Sequence, residues 1–243
     1  MRSSITTPFP GGVTNASLAG VFAKAGVPDP AYSQVYHNEF NTYVATDFTT
    51  TLVGLGTTAL VAEIGGVLLD TTTAGATDAI YHQLPVAGYQ FATGKPVFFK
   101  ARLKPSDQLN SGFYAGLLAI SATPLVGGNG VFLYKATGVT TWILRVIIAG
   151  VAQDLALPAS FTAAAATYAE VGFWVDSLGA VAAFFNAPTG QQVMAYQAPQ
   201  GFCAAFIPTA LPTVLLAPSF GIINGAAAVK TLSCDYITVS AER

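Results

Sequence analysis

Between Lys95 and Asn186 the chain is written almost entirely in short strand-like segments, and this stretch decides the fold class. Its four segments are KPVFFKARLK, GFYAGLLAIS, TTWILRVIIAG and YAEVGFWVDSLGAVAAFFN. Each is rich in β-branched and aromatic residues, and Gly, Pro, Asn, Asp and Ser separate them, which is strand rather than helix patterning. In the first, Val97, Phe99, Ala101 and Leu103 fall on one face and Phe98, Lys100, Arg102 and Lys104 on the other. That alternation predicts a strand packed on one side and wet on the other. GFYAGLLAIS has no charge on either face, so it is expected to be covered on both. Further along, Val171, Phe173 and Val175 oppose Glu170, Gly172, Trp174 and Asp176. Trp142 and Trp174 are both expected in the core.

The rest of the chain extends the same reading. FNTYVATDF, TALVAEIGGVLLD, DAIYHQL, QQVMAYQ, LAPSFGIIN and VKTLSCDYITVSAE read as strands. The last is expected to put Leu232, Cys234, Tyr236 and Thr238 on one face. Gly65-Gly66, Thr137 to Val139 and Ala149-Gly150 suit hairpin turns. FTAAAA has helix propensity but is too short to stand as a helix. Strand after strand with short links predicts an all-β sandwich.

Residues 1–35 read differently. Pro8, Pro10, Pro28 and Pro30 with Gly11, Gly12, Gly20 and Gly26 favour an extended N-terminal arm, with one short helix over NASLAGVFAKAG. The expected division is an arm over 1–35 and a sandwich domain over 36–243. MRSSITTPFPGG has no apolar core of the kind a secretory signal needs, so none is expected.

Charge sets what such a domain can do. Charged residues make up 9% of the 243 and the net charge is -2, against roughly 25% charged in an ordinary domain. There is no basic field for nucleic acid, and none is expected as a partner. Residues 177–229, 53 in a row, contain no Asp, Glu, Lys, Arg or His. Pro188, Pro199, Pro208, Pro212 and Pro218 interrupt that run, so no membrane span is expected. A surface with so few ionic groups is expected to be covered by other protein, with a neutral but wet Ala, Thr, Ser and Gly surface as the competing reading. The arm (Phe9, Leu18, Val21, Phe22) and the uncharged run (Phe202, Phe206, Ile207, Leu211) are the candidate interface residues, and intramolecular core is the competing reading for each.

No constellation for chemistry emerges. The acidic residues from Glu39 to Asp235 are isolated, none standing two or four apart, so no strand presents the paired carboxylates of a glycosidase. His37 and His82 stand in no nucleophile frame. Two Cys and two distant His make no zinc site, and the loop Asp107 to Ser111 has too few oxygen donors for calcium. No catalytic residue, metal or cofactor is expected. Cys203 and Cys234 read as small buried hydrophobes rather than a disulfide pair.

Several segments together carry a resemblance: KPVFFKARLK, the strand SGFYAGLL, GVFLYKATG, VGFWVDSLGAVAAFFN and the closing PSFGIINGAAAVKTLSCDYITVSAER. From about Tyr36 to Arg243 the chain resembles the concanavalin A-like (laminin G/jelly-roll) structural proteins of tailed bacteriophages, of the capsid decoration or cement type. The resemblance implies an antiparallel jelly-roll sandwich and a non-catalytic virion protein. It further implies a homotrimer on the capsid surface that contacts a major capsid protein. A lectin-like carbohydrate-binding module of a phage tail or head fibre is the alternative it leaves open.

Overall fold

The computed structural model describes residues 33–63, 65–126, 128–159, 161–186, 192–194 and 208–243. Fifteen strands and no helix occur among them: β1 Ser33–Asn38, β2 Thr49–Val53, β3 Gly56–Val61, β4 Val67–Thr72, β5 Ala79–Gln83, β6 Val97–Pro105, β7 Ser111–Leu118, β8 Gly130–Lys135, β9 Ile143–Ile148, β10 Val151–Ala156, β11 Ala169–Val175, β12 Val181–Asn186, β13 Gln192–Met194, β14 Ala217–Asn224 and β15 Thr231–Glu242. They form two antiparallel sheets. One runs β13-β12-β11-β6-β15-β4-β3, with β1 also paired to β15, and the other runs β10-β9-β8-β7-β14-β5-β2. This is the all-β sandwich that the strand patterning predicts.

Period two does the building. In β6, buried and half-buried residues alternate through all nine positions, as expected from one packed and one wet face. In β7 every residue is buried. Its Phe113, Ala115 and Leu117 join the main core between the sheets, while Tyr114 and Leu118 belong to a second cluster on the outer side of the seven-stranded sheet. Leu125, from the link between β7 and β8, packs on that outer cluster. Gln83 ties the link down, donating to Ala119 O and accepting from Ser121 N. Between the sheets Phe99 stacks on Phe173 at 5.3 Å and Phe113 meets Trp142 edge-on at 4.9 Å. Such pairs add about 0.5–1.5 kcal/mol beyond the area they bury.

The expected turns form. Gly65 and Gly66, both at positive φ, end the link between the antiparallel strands β3 and β4, and Ala149-Gly150 joins β9 to β10. At one edge β2 passes into β3 through Gly54-Leu55 alone, yet the two strands lie in different sheets. Gly54 has φ +75°, and a Cβ there would lie 2.1 Å from Asp78 Oδ1, so only glycine fits.

Three expectations are corrected. Residues 39–48 form no strand. Asn38 Oδ1 accepts from Phe40 N and Asp47 Oδ2 from Val44 N, each at 2.8 Å, so side chains take the backbone groups a ladder needs. In β15 the register against β6 shifts between Cys234 and Tyr236. Asp235 is the extra residue of a bulge, which moves Tyr236 and Thr238 off the core face and puts Ile237 and Val239 on it. Trp142 is in the core, but Trp174 is outside the core cluster and only half-buried. It lies opposite Phe98 of β6, on the sheet's outer face.

Candidate functional site

Many of the described ionic groups are paired with one another. On the outer face of the eight-stranded sheet, Lys100 pairs with Glu170 at 2.9 Å and Lys104 with Glu63 at 2.8 Å, while Arg102 pairs with Asp235 of the bulge. Tyrosines close the network: Tyr236 donates to Glu170 at 2.6 Å and Tyr168 to Glu63 at 2.8 Å. The Arg102 guanidinium lies 4.3 Å from the Tyr168 ring centre. The bond from Lys104, with that from Tyr168, holds the Glu63 carboxyl below its usual value. Elsewhere Arg145 grips Asp154 with two bonds, at 2.6 and 2.7 Å. Lys230 sits 2.7 Å from Asp107 and holds that carboxyl well below the usual range. Asp107 also accepts from Leu109 N and Asn110 N, so it braces its own loop rather than offering oxygens outward.

One buried network joins the sheets. His82 Nε2 of β5 donates to Asp70 Oδ1 of β4 at 2.8 Å, and both residues are buried. Thr58 of β3 donates to the same oxygen at 2.7 Å, and Thr50 of β2 lies 3.0 Å from His82 Nδ1. The ring is held between Phe220, stacked at 4.9 Å, and Phe48, edge-on at 5.8 Å. Hydroxyl, imidazole and carboxylate in line is the arrangement of an activated nucleophile. Here, however, Thr58 shares the carboxylate and Asp70 Oδ2 is buried without a partner. The network bolts four strands across the sandwich.

A cavity of about 350 Å³ opens at one end of the sandwich. Phe91 and Thr93 line it from the turn before β6, Asp176 and Leu178 from the β11–β12 turn, and Thr209, Leu211 and Thr213 from the segment before β14. Asp176 Oδ1 accepts from Leu178 N and Ala180 N, each at 2.8 Å. Gln153 fixes Thr209 through bonds of 2.8 and 3.2 Å. Hydroxyls, a carboxylate and an aromatic wall suit a small polar ligand. No group of three or more His, Cys, Asp or Glu that could hold a metal occurs among the described residues.

Exposed apolar residues gather at the β2–β3 edge. Leu52 and Val53 on β2, Leu55 in the turn (74% exposed) and Leu60 on β3 are all open to solvent. Leu52 is registered with Ile80 and Leu60 with Leu68, both core residues, so the sandwich interior reaches the surface here.

Of the candidate interface residues, Leu211 packs half-buried against the core and lines the cavity. Phe9, Leu18, Val21, Phe22, Phe202, Phe206 and Ile207 lie outside the described residues, as do the arm's short helix and Cys203. Cys234 is a buried free thiol, and burial pushes its pKa well up. The His82–Asp70 network and the end cavity were invisible in sequence because their members meet only through pairing across sheets. The uncharged stretch TTTLVGLGTTALV was the available signal for the open edge.

No protein-family model and no curated protein sequence matches the chain. Solved structures do resemble it. A protein of unknown function from Shewanella oneidensis MR-1 superposes with TM-score 0.59 at 12% identity, over 94% of this chain and 97% of that one. Peanut lectin gives 0.58 at 8% identity, over 86% and 97%. An endo-1,3-beta-glucanase from Streptomyces sioyaensis gives 0.51 at 16% identity, over 88% and 98%. At these identities the likeness is one of fold, and it marks the chain as a concanavalin A-like jelly-roll sandwich.

Proposed function

We propose that this chain is a non-catalytic structural protein of a bacteriophage virion, a capsid decoration or cement protein that works through contact area rather than chemistry. The observation that carries the reading is the division of its surface. Much of the charge is gathered into self-compensating pairs, while large apolar side chains stand exposed along the β2–β3 edge. Apolar area removed from water contributes about 25 cal/mol per Å² before association costs are subtracted. Contacts repeated over a symmetric shell then reinforce one another. The resemblance of its strand sequence to tailed-phage shell proteins supplies the setting. Light scattering across a concentration series tests the self-association this requires: a defined oligomer is expected, and a monomer throughout would overturn the reading.

The end cavity favours a second reading, a carbohydrate-binding module. Thr93, Thr209 and Thr213 with Asp176 offer donors and acceptors to sugar hydroxyls beside Phe91. The fold is shared with peanut lectin. Glycan-array binding that is lost in Asp176→Asn, a change that keeps the acceptor for the turn, would favour this reading over the first. An array without signal would remove it.

A further inference from the structure

The geometry points to a twofold contact in which the β2–β3 edge of one copy pairs with the same edge of a second copy, strand against antiparallel strand. This inference rests on the assembly reading and names the surface that serves it. Both sheets end here among the described residues: β2 pairs only with β5, and β3 only with β4. An edge strand carries a row of unpaired N–H and C=O groups, and another extended backbone is what satisfies them.

Charge selects a second copy of this chain as the occupant. Proteins that keep an edge free place Lys, Pro or inward-pointing charges on it. Residues 49–61 contain no charged residue and no proline. Of the other terminal strands, β10 carries Asp154 and β1 carries His37 ahead of Glu39, while β13, Gln192–Met194, offers only three residues for pairing. Pairing β10 with its own copy would bring Asp154 near its counterpart, and like charges facing across strands destabilise. The same operation at β2 or β3 brings threonines, Leu52 and Leu60 together and meets no ion. Such pairing would also close the gap where the core reaches the surface. An edge that pairs with itself is isologous and closes at two copies, so the unit would be a dimer rather than the trimer implied by the resemblance.

Three variants of the full chain test this by sedimentation velocity, with circular dichroism to confirm folding. Leu60→Lys puts a charge on the inner side of the edge. The double change Thr57→Lys, Ala59→Lys adds charge at two exposed positions with little demand on the fold. Val151→Lys does the same at an exposed position on the opposite edge. The wild type is expected to dimerise, both β3 variants to weaken the dimer by roughly tenfold or more, and Val151→Lys to leave it intact. If the wild type assembles and the β3 variants assemble equally well, the pairing is wrong while the assembly reading stands. A monomeric wild type overturns both.

Discussion

Lys135 offers a sharp test of how this core is balanced. Its side chain is fully buried at the end of β8. Its ammonium group donates to Ser111 O and lies 5.0 Å from the Phe113 ring centre. Burial lowers its pKa from 10.5 to about 8, with Asp107 opposing. Because the folded value lies below the unfolded one, between those two pH values the unfolded chain holds a proton that the folded chain has released. Stability therefore climbs with pH across that window. Linkage puts the cost of folding the charged lysine at about 3.4 kcal/mol at pH 7 and about 2 kcal/mol at pH 9, a gain of roughly 1.4 kcal/mol. Cys234 and the buried tyrosines, whose values are raised on folding, act in the opposite direction as pH rises. The measurement is thus a difference: urea unfolding of the wild type and of Lys135→Met at pH 7 and pH 9, followed by the fluorescence of buried Trp142. Methionine fills similar volume and does not titrate. The wild type is expected to gain about 1.4 kcal/mol relative to the variant between the two pH values. Parallel behaviour of the two proteins would show that folding does not lower the Lys135 pKa, and the reasoning would fail.

Two further outcomes follow from the packing. His82→Phe removes one partner of a buried pair and leaves Asp70 with Thr58 as its remaining donor, so a loss of about 3 kcal/mol is expected in equilibrium unfolding; a loss under about 1 kcal/mol would show that the network is no bolt. In Gly116→Ala the new Cβ would meet Phe132 Cβ at 2.3 Å and Cα at 2.4 Å, which is expected to cost about 1–3 kcal/mol in thermal unfolding, whereas an unchanged midpoint would mean that β7 and β8 separate freely.

Much of the fold was legible in the residues themselves. The alternation of KPVFFKARLK, the two-sided burial of SGFYAGLL and the turn at Ala149-Gly150 each follow from a handful of neighbouring side chains. The candidate sites were not legible in that way. His82 and Asp70 are twelve residues apart and belong to different sheets, and the cavity draws Phe91, Asp176 and Thr209 from three distant segments. Trp174 was misplaced for a related reason: its alternation with Phe173 was plain, but hydrophobicity by itself assigned it inward. In β15 the alternation was broken by Asp235, a residue that nothing nearby marks as a bulge.

What the sequence determined alone is local: strand content, the positions of turns, the scarcity of charge and the uncharged stretch from Thr49 to Val61. These depend on period two and on turn chemistry, which act over a few residues. Tertiary structure alone decided which strands end each sheet, where Asp235 shifts the register, and which buried polar groups meet. Those depend on pairing between segments far apart in the chain, where the free energy of a contact is set by what lies across the ladder and not by what lies beside it in sequence.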